Sequence, residues 1–155
     1  MLPTLNLPSF AVKLKNQSQR TQIFDRIRKK FVSLTPEEWV RQHFLNYLIE
    51  HKKYPESRIA VESSLIYNEL LRRPDIVYFD VFRKAQLIVE CKAPEIKITQ
   101  STFDQIARYN IALKVRYLVI TNGIQHFCCS MDYEKESYAF QKEIPDFSDF
   151  ETSLQ

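Results

Sequence analysis

Residues 73–93 read RPDIVYFDVFRKAQLIVECKA, and their pattern decides the architecture. Pro74 cannot donate to a strand ladder and biases Arg73 towards extended backbone. Asp75 to Phe82 (DIVYFDVF) is rich in β-branched and aromatic residues and reads as a strand. Arg83 to Gln86 supplies a turn, and Gln86 to Lys92 (QLIVECK) is the next strand. The pair reads as an antiparallel hairpin. It lacks the Asn-Gly or Gly that a two-residue loop prefers, so the turn is expected to be longer. Asp75 starts its strand and Glu90 ends the next, which sets them side by side at one end of a sheet. Residues two apart share a strand face, so Glu90 and Lys92 project together while Cys91 points into a core.

Upstream, Thr35 to His51 has the marks of a helix. Thr35 can cap it, Pro36 suits the first helical position, and Thr35-x-x-Glu38 is a capping box. Val40, Phe44 and Leu48, with Tyr47 beside them, form one apolar stripe. Arg58 to Tyr67 reads as a strand and 68–73 as a connector. Residues 21–34 suggest a short strand or hairpin. Downstream, Thr99 to Leu113 is a second helix with Phe103, Ile106 and Leu113 on one face. Arg116 to Thr121 is a nearly all-apolar strand, as in a sheet covered on both faces. Asn122-Gly123 is a turn and Ile124 to Met131 a last strand. The expected fold is an α/β sandwich, a central mixed sheet flanked by helices.

The 155 residues allow one domain with short appendages. They leave no room for a motor. Apolar residues are 45% and charged residues 26%, ordinary for a globular chain. No apolar run reaches the roughly 20 residues that span a bilayer, and no signal peptide is legible. A cytoplasmic location without membrane contact is expected. Cys91, Cys128 and Cys129 suggest neither a disulfide framework nor a zinc site. Gly123 is the single glycine, which argues against phosphate-cradling loops and hence against a nucleotide cofactor. Charge is unevenly spread: residues 1–30 carry seven Lys/Arg against one acid, and residues 132–155 carry two against seven. The expected organisation is a weakly ordered arm over 1–20, a domain over 21–142 and an acidic tail over 143–155. Arg26, Arg28, Lys29 and Lys30 could bind phosphate or form a solvated face.

Two carboxylates and an ammonium converging at a sheet end have a chemical use. Asp75 and Glu90 can hold a hard divalent cation such as Mg²⁺, with Mn²⁺ as a substitute. Such an ion acidifies a water and neutralises charge on a phosphate oxygen. Lys92 can orient that water or stabilise the pentacovalent phosphorane. Each residue also has a structural reading: Asp75 capping a turn, Glu90 paired with Lys92 on an edge strand, Lys92 as a solvated strand end. Asp80 is a rival acid but lies mid-hairpin.

Pro74-Asp75 followed by Glu90-x-Lys92 resembles the PD-(D/E)xK nuclease signature. Segments 35–42 (TPEEWVRQ), 73–76 (RPDI), 88–93 (IVECKA), 105–109 (QIARY) and 121–123 (TNG) resemble the N-terminal nuclease domain of the R subunit of type I restriction enzymes, and more narrowly its small stand-alone relatives. The similarity covers about residues 20–131. It implies a restriction-endonuclease-like fold and a Mg²⁺-dependent DNA endonuclease working by metal-activated water. Asp75 and Glu90 would be metal ligands, with the Cys91 backbone carbonyl a third, and Lys92 the catalytic lysine. Gln105 and Tyr109 match a Q-x3-Y motif that touches the DNA backbone or steadies Lys92. A helix glutamate completes such sites. Glu37 and Glu38 compete for that role, and Glu38's place in the capping box favours Glu37. Arg41 is a substrate contact or an i,i+4 partner of Glu37. Gln105 could instead cap with Thr102, and Tyr109 could be a core residue. DNA is the expected partner, together with a second copy or with motor and specificity subunits. The alternative is a catalytically silent or partner-dependent DNA-binding module of the same fold.

Overall fold

The structure is a computed structural model that describes residues 2–62, 65–67 and 70–152. Its first three strands, β1 (Leu14–Gln17), β2 (Arg20–Asp25) and β3 (Lys30–Ser33), form a small antiparallel sheet. Helix α1 (Pro36–Glu50) follows, capped by Thr35, whose side chain accepts from the Glu38 N–H. Next come β4 (Ile59–Val61), the two-stranded pair β5 (Leu65–Tyr67) and β6 (Leu70–Arg72), and the hairpin β7 (Ile76–Phe79) and β8 (Ala85–Cys91). Helix α2 (Gln100–Asn110), capped by Thr99, leads to β9 (Tyr117–Thr121), β10 (His126–Asp132), β11 (Ser137–Gln141) and α3 (Phe147–Thr152).

The main sheet has the order β11-β10-β9-β8-β7-β4. Its strands pair antiparallel except β8 and β9, which run parallel. A parallel pair needs a long crossover, and α2 supplies it. Alternation divides the core in two. Leu87, Val89, Cys91, Val119 and Cys128 pack towards α1, on Val40, Phe44, Leu45 and Leu48. Ile88, Leu118, Ile120 and Cys129 pack towards α2, on Phe103 and Ala107. The central strands are therefore apolar on both faces. This is an α/β sandwich of the restriction-endonuclease-like type. No helix among the described residues is long and apolar enough to cross a membrane.

Several expectations need correction. The strand expected over 58–67 splits after Val61, and its second half pairs with β6 instead of continuing in the main sheet. Glu62 adopts a left-handed φ of 51° and donates its N–H to the Asp75 carbonyl, which turns the chain away. Part of the expected connector, Leu70–Arg72, is strand; Asn68 and Glu69 lie outside the described residues.

Residues 1–20 are not a loose arm where they are described. Leu5 is in the core, the Asn6 N–H donates to the Gly123 carbonyl, and the Trp39 indole N–H donates to the Pro3 carbonyl. Gly123 has φ +87°, and a Cβ there would meet Leu5 Cδ2 at 2.8 Å. The acidic tail is also docked, with Phe150 packed against Tyr54, Tyr78 and Tyr117.

Helix α1 lacks the solvated face that its single apolar stripe suggests. Arg41, Gln42, His43 and Asn46 are buried. The three-stranded sheet supplies partners for that second face: Asp25 accepts from Gln42 Nε2 at 3.1 Å, and Arg26 donates to Asn46 Oδ1 at 3.0 Å.

Candidate active site

The register that pairs Ile76 with Val89 brings Asp75 opposite Glu90 at the next position outward. The Asp75 side chain closes this strand end. Its Oδ2 accepts the Cys91 N–H at 2.7 Å and its Oδ1 accepts from Arg41 Nη2 at 2.8 Å. The Asp75 carboxyl and the Asn110 side chain both act on the charge of Glu90. Burial, and then the neighbouring Asp75 charge, push Glu90 up to about 8; Lys92 pulls the other way. Near neutral pH Glu90 therefore favours its protonated form. Glu90 keeps part of its surface in solvent although protein atoms crowd it.

Lys92 continues the β8 line, with its N–H donating to the Thr121 carbonyl at 2.8 Å. The Cys91 thiol faces the opposite core, as alternation requires. Glu37 sits in the first turn of α1 with its side chain half exposed. Its carboxyl is raised by burial and by Asp75, and lowered by Arg41 and Lys92. Glu37, Asp75, Glu90 and Lys92 therefore share one electrostatic environment.

Glu38 is placed elsewhere. Thr35 caps the Glu38 N–H, but the Glu38 carboxylate does not complete the reciprocal half of the box. It is buried between Arg28 Nη2 at 2.6 Å and Arg41 Nη1 at 3.1 Å. Of the two helix glutamates, only Glu37 opens towards the carboxyl pair.

Arg41 is not an open substrate contact. Its side chain is 6% exposed and pairs with Asp75 at 2.8 Å, Glu62 at 3.1 Å and Glu38, with Glu37 more distant at 3.6 Å. The guanidinium holds carboxylates in place instead of reaching outward. Arg28, in the turn between β2 and β3, extends this network. It bonds Asp25 at 2.5 Å, Glu38 at 2.6 Å and Glu62 at 3.2 Å. Asp25 is fully buried; burial raises its carboxyl, but hydrogen bonds from the Arg28 backbone and side chain outweigh that and hold it below the usual range.

Asp80, the rival acid, builds the hairpin turn. Its Oδ1 accepts the N–H groups of Phe82 and Lys84, and its Oδ2 accepts from Gln86. Gln105 is exposed on α2, and Thr102 is already used by the Thr99 cap. Tyr109 lies on the same helix, but its side chain is outside the described residues. The residue that sequence reasoning passed over is Asn110. It is buried, donates Nδ2 to the Ile106 carbonyl at 2.9 Å, and its Oδ1 has no partner. The available signal was a lone amide at the end of a helix aimed at an apolar sheet.

The donor set fits a hard divalent cation. Asp75 and Glu90 stand opposite each other at this strand end and offer carboxylate oxygens, the donor type such an ion takes. Mg²⁺ takes one or two protein acids and keeps its other positions for water and phosphate oxygens. Among the described residues no three His, Cys, Asp or Glu side chains form a closed metal cage.

The sequence profile of the type I restriction enzyme R protein N terminus matches residues 36–145. No curated protein matches the chain. The matched stretch includes α1, the β7–β8 hairpin with Asp75, Glu90 and Lys92, and α2, and it covers more than half of the 155 residues. The chain therefore belongs to the type I restriction enzyme R protein N-terminal family.

Proposed function

We propose that the chain is a divalent-cation-dependent nuclease module that hydrolyses phosphodiester bonds in DNA. The observation that carries this reading is the Asp75–Glu90 carboxyl pair at one sheet end, with the Lys92 charge acting on it. Asp75 and Glu90 would hold Mg²⁺ or Mn²⁺, helped by the Cys91 carbonyl, and the ion would acidify a water and neutralise charge on a phosphate oxygen. Lys92 Nζ orients the attacking water and stabilises negative charge gathering on the phosphorane. Arg41 sets a positive charge against Asp75 Oδ1 and fixes the orientation of that side chain. Glu37 adds a third carboxylate at the margin of the site.

Titration calorimetry with Mn²⁺ and Mg²⁺ tests the site. Wild type binds and Asp75→Ala does not. Cleavage assays on single-stranded, duplex and branched DNA test the activity. Asp75→Ala and Lys92→Ala abolish it, and full metal-dependent cleavage by either variant sinks the reading.

A second reading has its own support. Both Asp75 oxygens are engaged within the protein, by Arg41 and by the Cys91 N–H. A module that cuts only when substrate or partner subunits complete the site accommodates that. Metal binding without cleavage by the isolated chain, and cleavage on adding those subunits, distinguishes it.

A further inference from the structure

Two of the four basic residues in the stretch 26–30 are already committed. Arg26 bonds Glu50 at 2.8 Å, Glu56 at 3.0 Å and Asn46. Arg28 bonds Asp25, Glu38 and Glu62. Lys13, Lys15, Arg20, Lys29 and Lys30 remain, all exposed, and none of them forms an ion pair among the described residues. Asp25, the only acid in residues 1–30, is sealed beneath the sheet. The outer side of the small sheet thus carries cations without any acid.

Strand alternation explains the sorting. Ile23 and Asp25 face α1, while Phe24 on β2 and its partner Phe31 on β3 face outward, edge to face at 5.4 Å. Lys13 Nζ lies 5.4 Å from the Phe24 ring centre and Lys15 Nζ lies 5.5 Å from that of Phe31. Each amine is steadied over an aromatic face and kept at the surface. At one end of the sheet Lys29 and Lys30 follow Arg28, which is bonded into the carboxylate network beside Asp75. At the other end Arg20 opens β2. A strand of this length spans about 20 Å. Duplex DNA presents one charge per roughly 1.7 Å along its axis.

We propose that the outer face of β1–β3 and the adjoining β2–β3 turn dock the phosphate backbone of duplex DNA, through Lys13, Lys15 and Arg20 on the face and through the exposed Lys29 and Lys30 at the turn, where Lys30 lies on the Asp25 side by register. The choice of DNA over another polyanion rests on the nuclease reading. The face itself rests on the cation pattern. It lies entirely before the stretch that matches the family profile.

The test is fluorescence anisotropy of a labelled duplex with the full chain in EDTA, over a range of NaCl concentrations. The variant replaces all five cations by Gln. These side chains are exposed, so a matching thermal melt is expected and is checked first. Each phosphate contact contributes about 0.9 to the slope of log K against log salt. Wild type shows a steep slope, and the five-Gln variant loses roughly 4 units of it, with affinity falling by about a hundred-fold or more at low salt. An unchanged slope in the five-Gln variant overturns the proposal, as does absence of DNA binding by wild type. A wild-type dimer dispersed by the five-Gln substitution, without DNA binding, overturns it in favour of the acidic tail of a second copy. Slope loss without cleavage in any divalent cation upholds the face and sinks the reading of the isolated chain as a nuclease. Cleavage with an unchanged slope does the reverse.

Discussion

Arg28 Nη2 lies 2.6 Å from Glu38 Oε1, and this contact ties the β2–β3 turn to the first turn of α1. Through Glu38 and Arg41 the line of charge reaches Asp75. Arg28→Met leaves the buried Asp25 and Glu38 carboxylates without their main cation. Removing one partner of a buried pair costs about 3–5 kcal/mol, and urea unfolding at pH 7 should show a loss of that order. The Asp25 carboxyl is lowered in the folded state, so its contribution is present above the unfolded pKa and lost as pH falls through the folded one. The deficit of Arg28→Met therefore shrinks in acid, and an equal deficit at all pH values would exclude the ionic account.

Glu90 has the opposite sign. Its folded pKa, about 8, exceeds its ordinary value of 4.5. The folded state favours the protonated form, so stability falls as pH rises from about 4.5 towards 8. Glu90→Gln removes that penalty. Thermal melts should show the variant and wild type nearly equal at pH 4.5 and the variant more stable at pH 8. A wild type that matches or exceeds the variant at pH 8 contradicts the crowded carboxyl pair.

Gly123 needs both its left-handed φ and its empty Cβ position. Gly123→Ala should cost about 1–3 kcal/mol, from backbone strain together with contact on Leu5 and Val40. Adding Leu5→Ala relieves the contact but not the strain, so the two substitutions should combine non-additively in denaturant unfolding.

Phe150 is 4% exposed and meets three tyrosine rings. Phe150→Ala should destabilise the chain by about 3–5 kcal/mol, the cost of emptying a large aromatic site. A change below about 0.5 kcal/mol, as at ordinary surface positions, would mean that α3 is not packed on the domain.

The parts of the fold legible in the sequence are those where local chemistry and burial agree. The β7–β8 hairpin, the Thr35 cap and the β9 strand covered on both faces follow from alternation, burial and capping. So does the convergence of Asp75 with Glu90. What stayed hidden depended on distant partners. The β1–β2 turn uses Ser18 and Gln19 at φ 52° and 65°, without the glycine or asparagine that announces such a turn. Nothing local in Arg28 or Arg41 says that each will be surrounded by carboxylates. Asn110 likewise acquires its role only when α2 folds over β8. Glu37 and Glu38 adjoin in sequence, and only the position of Arg28 separates their roles.

Helix α1 has a second buried face made of ions and amides, and this separates the unit of descent from the unit of folding. The family resemblance begins at Pro36, but a chain cut there would leave Glu38 without Arg28 and Gln42 without Asp25. Truncating to the shared stretch would leave the Asp75–Glu90 scaffold complete in its alignment and incomplete as an object. The covering element lies before the matched stretch, yet through Arg28 it holds one side of the charge network that reaches Asp75.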